Sequence, residues 1–255
     1  MNPMFSMSGF AVGTLVGLTG VGGGSLMTPL LILLFGIHPV TAVGTDLLYA
    51  AGTKSVGTLA HGASHTVEWR VSLLMALGSI PAAAATLLAL HGFGRPNPLV
   101  EHAMTVSLGV ALLLTALSLL MRARITAFAA RRAMLSPRRV ASLTVATGVV
   151  LGALVTLTSV GAGALGVTVL ILLYPRLPVA RIIGSDIAHA VPLTLLAGIG
   201  HWVMGDVDWG LLGSLLVGSV PGIVIGSLLA ARVPERVLRP LLAATLVLVG
   251  GRLLG

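Results

Sequence analysis

Two acids, one lysine and two glycine clusters stand inside otherwise apolar sequence. Asp46 follows Gly44-Thr45, and Asp186 follows Gly184-Ser185. An acid inside an apolar membrane segment costs about 2.5–3.5 kcal/mol on insertion scales, which marks it as a candidate for ion or proton coupling. Each acid also lies near the start of its apolar segment, where a carboxylate satisfies free backbone donors, so a capping role stands beside the coupling one. Lys54 is the single lysine of the chain and lies mid-segment beside Thr53. Its ammonium could complement an anion, pair with an acid, or snorkel to an interface. The clusters Gly20-Val21-Gly22-Gly23-Gly24 and Gly161-Ala162-Gly163 permit a helix break, because glycine tolerates positive φ. A helix restarting after such a break presents free N–H groups and a positive dipole end, which suits an anion. Gly22, Gly23, Gly24 and Ser25, with Gly161, Ala162, Gly163 and Ala164, are therefore candidate substrate-binding positions, and Thr45 and Ser185 are candidate hydroxyl donors. The competing reading is close helix packing, which the four-residue spacing of Gly9, Gly13, Gly17 and of Gly218, Gly222, Gly226 predicts elsewhere. His61 and His201 occupy equivalent segment ends, as proton relays or as interfacial residues.

Other chemistries have little to use. Cysteine is absent, which removes thiolate catalysis and Cys-ligated metals. No H-E-x-x-H occurs, no Gly-Lys-Ser/Thr follows the glycines, and no Ser-His-acid set stands out. The expectation is a protein that is not an enzyme and uses neither cofactor nor metal. The net charge of +8 raises nucleic acid as a partner, but no polar, aromatic-bearing region presents the basic residues, so none is expected.

Positioning these residues falls to membrane helices. Of 255 residues, 56% are hydrophobic and only 9% charged, too few charges to cover a water-facing surface. Apolar runs cover residues 5–37, 40–60, 71–90 and 99–121, then 140–174, 178–201, 209–231 and 237–254. Each is near the roughly 20 residues a spanning helix needs, and barrel-type alternation is absent. The fold class is an all-α polytopic membrane protein. No Lys or Arg precedes the first apolar run, so a cleaved signal peptide is not expected.

The chain reads as a duplication: a first transmembrane repeat over 1–121, a basic cytoplasmic loop over 122–139 and a second repeat over 140–255. Val21-Gly22-Gly23-Gly24 aligns with Val160-Gly161-Ala162-Gly163, and Gly44-Thr45-Asp46 with Gly184-Ser185-Asp186. His61 pairs with His201, Glu68-Trp69 with Asp208-Trp209, and Gly78-Ser79-Ile80-Pro81 with Gly218-Ser219-Val220-Pro221. Lys54 pairs with Thr194, so the site is not symmetric. Glu68 and Asp208 read as helix caps, and Trp69 and Trp209 as interface anchors. Two arguments favour inverted rather than parallel repeats. Residues 5–19 make about 22 Å of helix and 25–35 about 16 Å, too long together for one crossing and too short for two, so a dip to the midplane and back fits. With the 122–139 segment inside, inversion also keeps Arg70, Arg176, Arg181, Arg232, Arg236 and Arg239 inside, as the positive-inside rule requires.

Gly17-Leu18-Thr19-Gly20-Val21-Gly22-Gly23-Gly24-Ser25, then Met27-Thr28-Pro29, then Val43-Gly44-Thr45-Asp46 with Lys54 and Gly57, resemble the first repeat of the sulfite exporter TauE/SafE family, also called the toluene-sulfonate uptake permease family. The resemblance extends over essentially the whole chain. It implies secondary transport, most often export, of small sulfur-containing anions such as sulfite, sulfoacetate or other sulfonates across the cytoplasmic membrane. The second half departs from the first at Ala162, Ala164 and Leu193-Thr194, so it is expected to offer the ligand mainly backbone N–H groups. The partners expected are a small anion, the lipid bilayer, protons or another coupling ion, and further copies in a homo-oligomer. An anion channel and a non-transporting membrane subunit are the alternatives.

Overall fold

Helix satisfies every backbone group within its own segment, and lipid supplies no other partner. The computed structural model describes residues 3–19, 24–63, 65–94, 97–131, 135–229 and 235–255, and among them it is helical throughout, without a strand. In chain order the helices are α1 (Pro3–Thr19), α2 (Gly24–Phe35), α3 (Pro39–Ala63), α4 (Trp69–Gly92), α5 (Pro98–Arg131), α6 (Pro137–Thr158), α7 (Ala164–Leu173), α8 (Val179–Val203), α9 (Trp209–Leu229) and α10 (Glu235–Leu254). Among the described residues, α4, α5, α6, α8 and Trp209–Gly226 within α9 are long and apolar enough to cross a bilayer. By contrast α2 and α7 are short, with 12 and 10 residues.

Local chemistry sets the boundaries. α3, α5 and α6 each open on a proline, whose missing N–H costs nothing in a first turn. Gly36, at φ 63°, terminates α2. α6 ends at Ser159 in the left-handed region, and Gly161 and Gly163 follow at φ 126° and 129°. Only glycine adopts the latter conformation without strain, so the break between α6 and α7 is written into the sequence.

Small residues set the packing. α1 lies along α9, with Gly9 against the Leu215 backbone, Gly13 against Ser219, and Gly218, Gly222 and Gly226 against the carbonyls of Ser6, Phe10 and Thr14. α6 lies along α4 in the same way, with Gly148 on Met75, Gly152 on Ser79 and Gly78 on Val145. α3 and α8 meet between these pairs, and α5 packs on α10.

One expected loop is mostly helix. α5 runs unbroken through Arg131, and residues 137–139 already belong to α6. Residues 122–131 are polar but consist largely of Ala and Arg, both strong helix formers, and no Gly or Pro interrupts them. The 34-residue helix is about 51 Å long, so it exceeds a hydrocarbon core of about 30 Å.

Candidate functional site: charged groups at the helix breaks

The α6–α7 break brings three buried charged side chains together. α7 opens after Gly163, and its first N–H groups have no partner within the helix. Asp186, from α8, is aimed at this end. Its carboxylate sits so close over Gly166 that a Cβ there would strike Oδ1, and the Gly163 N–H faces it. Both carboxylate oxygens are buried, and neither has a hydrogen bond of good geometry.

Lys54 comes from α3 and is 4% exposed, so it does not snorkel. Its Nζ donates to the Ala162 carbonyl at 3.1 Å, an acceptor that exists because the helix is broken there. Both Asp186 and Asp46 lie within electrostatic reach of the ammonium. Asp46, also on α3, accepts from Thr28 Oγ1 of α2 at 2.5 Å, and the Ser159 hydroxyl faces it. Its other oxygen has no partner. One cation thus stands between two buried acids where α2, α3, α7 and α8 converge. The residues from Gly20 to Gly23 lie outside the described residues, as does the Ser25 side chain, while Gly24 opens α2. Gly161, Ala162, Gly163 and Ala164 all lie at the break, buried or half-buried.

Sequence reasoning misses His189 here. Its Nε2 lies 2.8 Å from Ser79 Oγ, its Nδ1 is buried without a partner, and it is within electrostatic reach of Lys54. The signal was available: His189 follows Asp186 by three residues, hence on the same helix face.

Thr45 and Ser185 have engagements of their own. Thr45 Oγ1 accepts the Asp208 N–H at 3.1 Å, and Ser185 Oγ accepts the Glu68 N–H at 2.8 Å while donating to Arg181 O. Each hydroxyl therefore receives the backbone at the start of a helix in the other half. Asp208 caps α9 by accepting the Leu211 N–H at 2.9 Å. Glu68 makes no such cap and instead faces Arg181 at 3.6 Å. Thr45→Val keeps the shape and removes the acceptor for Asp208 N–H. The expected loss is about 1 kcal/mol, read as a lowered melting temperature of the purified protein.

His201 is fully buried at the end of α8. Its Nδ1 lies 3.0 Å from Asp206 Oδ2, and its Nε2 lies 3.0 Å from the Thr156 carbonyl of α6. The pair borders a cavity of about 390 Å³ that is also lined by His38, Thr41, Glu101 and Met104. His61 lies in α3, with its side chain outside the described residues. Trp69 and Trp209 are exposed. A second void of about 20 Å³, room for about one water, lies over Asp186 and Gly163 and is bordered by Ser118, Arg122 and Thr168. No cluster of three metal-ligating side chains occurs among the described residues.

Comparison with known proteins agrees with a membrane transport role. The family model described as "Sulfite exporter TauE/SafE" matches residues 5–253. The chain is 40% identical over 219 residues to "Probable membrane transporter protein YjnA" of Bacillus subtilis, covering 85% of each chain. It is 29% identical over 211 residues to a "Probable membrane transporter protein" of Xylella fastidiosa, covering 82% of this chain and 77% of that one. A relative from Methanocaldococcus jannaschii, "Probable membrane transporter protein MJ0441", is 24% identical over 211 residues, covering 81% of this chain and 74% of its own length. No solved structure matches.

Proposed function

The chain belongs to the sulfite exporter TauE/SafE family of membrane transporters, and we propose that it is a secondary transporter that carries small sulfur-containing anions, such as sulfite, sulfoacetate or other sulfonates, out across the cytoplasmic membrane. The observation that carries this reading is the buried Lys54 ammonium seated on a broken-helix carbonyl between two acids. The anion binds beside Lys54, at the starts of α7 and α2: Gly161–Ala164 and Gly22–Ser25.

The repeats are inverted in this proposal, and the first helix pair of each is re-entrant. Two contacts support it. Tyr174, just past α7, reaches Thr144 in the second turn of α6 at 2.9 Å, so α7 returns to where α6 began. Phe35 at the end of α2 packs edge-on against Phe5 at the start of α1, with ring centroids 4.8 Å apart. The reciprocal seams α1–α9 and α4–α6 also relate equivalent helices of the two halves. Rocking of one repeat against the other then alternates access to the midplane site.

Charge counting gives the coupling. With Asp46 and Asp186 both ionised, Lys54 is outnumbered and the centre repels an anion. A proton on one acid makes the centre neutral, and a proton on both makes it positive. Protons therefore enter with the anion, on Asp46 or Asp186, and anion affinity rises as pH falls.

Proteoliposomes loaded with labelled sulfite or sulfoacetate test the function. Expected are saturable flux, counterflow and faster exchange at lower pH. Single-channel currents would replace the carrier with a channel. Absence of flux, with a soluble protein co-purifying, would make the chain a non-transporting subunit.

A further inference from the structure

We propose that His201 and Asp206 form a proton-binding site, separate from the Lys54 centre, that latches the end of α8 to α6 and closes the cavity beside them. The inference does not depend on the substrate proposed above. It rests on counting hydrogens. The Thr156 carbonyl can only accept, so His201 Nε2, 3.0 Å away, carries a hydrogen. That leaves Nδ1, 3.0 Å from Asp206 Oδ2. In a neutral imidazole already protonated on Nε2, Nδ1 has only a lone pair, and a carboxylate has no hydrogen to offer it. The contact therefore needs one more proton, on Nδ1 as an imidazolium or on Asp206 as a carboxylic acid. Both arrangements hold the same proton between the same two atoms. Without it the ring's single hydrogen can serve only one of the two contacts, so a lone pair faces either Asp206 or the Thr156 carbonyl, and the link between α8, α6 and the following turn is broken on that side.

The surroundings turn that proton into a mechanical link. In a continuous helix the Thr156 carbonyl would accept from the N–H of Val160. Here Val160 N donates to Thr158 Oγ1 at 3.1 Å, which leaves the carbonyl for His201. The break that shapes the Lys54 centre thus also creates the latch's anchor on α6. On the other side, α3 packs directly on the pair. A Cβ at Gly44 would fall 2.8 Å from Asp206 O and 3.0 Å from His201 Cβ. Thr45 then takes the N–H of Asp208, in the same short connection. Asp46 follows at once, so the segment of α3 that the latch grips is the one that carries the first acid of the central site. The equivalent of Asp206 in the first half is Thr66, so the device belongs to one end of the molecule.

Other titratable groups face the pair. His38, ahead of α3, and Glu101 of α5 border the same cavity, and Asp208 follows in the connection to α9. Arg95 lies outside the described residues. The lining from α4 adds only the apolar Leu90. His38 and Glu101 are thus the competing sources of any pH dependence, and the test must separate both.

The absence of cysteine allows a clean accessibility test on the full chain in nanodiscs. Met104 is 1% exposed and lines the cavity, so Met104→Cys reports its opening to a charged methanethiosulfonate reagent. Only the thiolate reacts, so labelling is read as the ratio of the Met104→Cys rate to that of Met104→Cys carrying Asp206→Asn at the same pH. The ratio should rise with pH, by at most about tenfold per pH unit, the limit for a one-proton switch. Asp206→Asn is isosteric, and its amide donates to Nδ1 without the extra proton. That background keeps the same thiol without the switch and should label slowly, and the rise of the ratio should persist when Glu101→Gln or His38→Gln is added to both proteins. Nitrogen-15 spectra of labelled histidine in the unmutated protein supply the second readout. One histidine, absent from His201→Gln, should carry hydrogen on Nε2 with Nδ1 either protonated or accepting a strong hydrogen bond. A ratio that does not change with pH, loss of its rise when Glu101→Gln or His38→Gln is added, or a His201 Nδ1 that is bare and unbonded would each overturn the proposal.

Discussion

Lys54→Met should abolish anion flux and also destabilise the protein, and the second effect should be reversible without the first. Methionine keeps the length of the side chain and its apolar stem but removes the ammonium. Asp46 and Asp186 are both fully buried, one oxygen of Asp46 and both of Asp186 have no hydrogen-bond partner, and the Lys54 ammonium is within reach of both acids. Removing one member of a buried charge group leaves the others uncompensated, at a cost of about 3–5 kcal/mol. A melting temperature lower by many degrees is the expected reading. Adding Asp46→Asn and Asp186→Asn to Lys54→Met removes the stranded charges and should recover most of that loss. Flux should stay absent, because no charge remains to hold the anion and no carboxyl to hold its proton. Wild-type flux in the Lys54→Met protein would move the substrate away from the α6–α7 break.

The second large effect is expected at the α1–α9 seam. Gly218→Ala places a Cβ against the backbone carbonyl of Ser6, and neither backbone can yield without separating the helices. Overpacking of this kind costs about 1–3 kcal/mol where side chains give way, and more is expected here because the obstructing atom is backbone. Gly213→Ala is the control, on the same helix but with no heavy atom within 4 Å of the new Cβ. It should be neutral or stabilising by up to about 1 kcal/mol, the difference in helix propensity. Thermal unfolding of the two variants, followed by size-exclusion profile, makes the comparison. Equal behaviour of the pair would remove close approach as the reason for the glycines. Gly148→Ala, against the carbonyl of Met75, should repeat the Gly218 result at the α4–α6 seam.

How far the sequence reveals this molecule depends on the range of each interaction. The all-helical membrane class follows from composition, since lipid leaves the backbone few options. The break at Gly161 and Gly163 is legible because positive φ selects for glycine at the residue itself. The helical reach of α5 beyond Met121 was open to a propensity argument, but its arginines read as loop. Partners across the fold were not legible. Gly166 makes room for Asp186, Thr45 receives a backbone N–H from Asp208, and His201 meets the Thr156 carbonyl, each between helices far apart in the chain. No local pattern encodes such pairings, because each depends on which helix the packing brings alongside. His189 lies between these cases, since its spacing from Asp186 was visible but its setting was not.

The reciprocal seams have a consequence for how the protein comes to exist. α1 is made long before α9, the helix whose surface receives its glycines. At ordinary translation speeds that wait is on the order of ten seconds or more. During it α1 stays in the bilayer, or at its edge, with its glycine stripe uncovered. α4, by contrast, needs only α6, two helices later. Assembly therefore begins by joining α4 to α6 and finishes by joining α1 to α9. A chain stopped before α9 would leave its first helix unclaimed, so such truncated products should be the ones that the cell's membrane quality control removes.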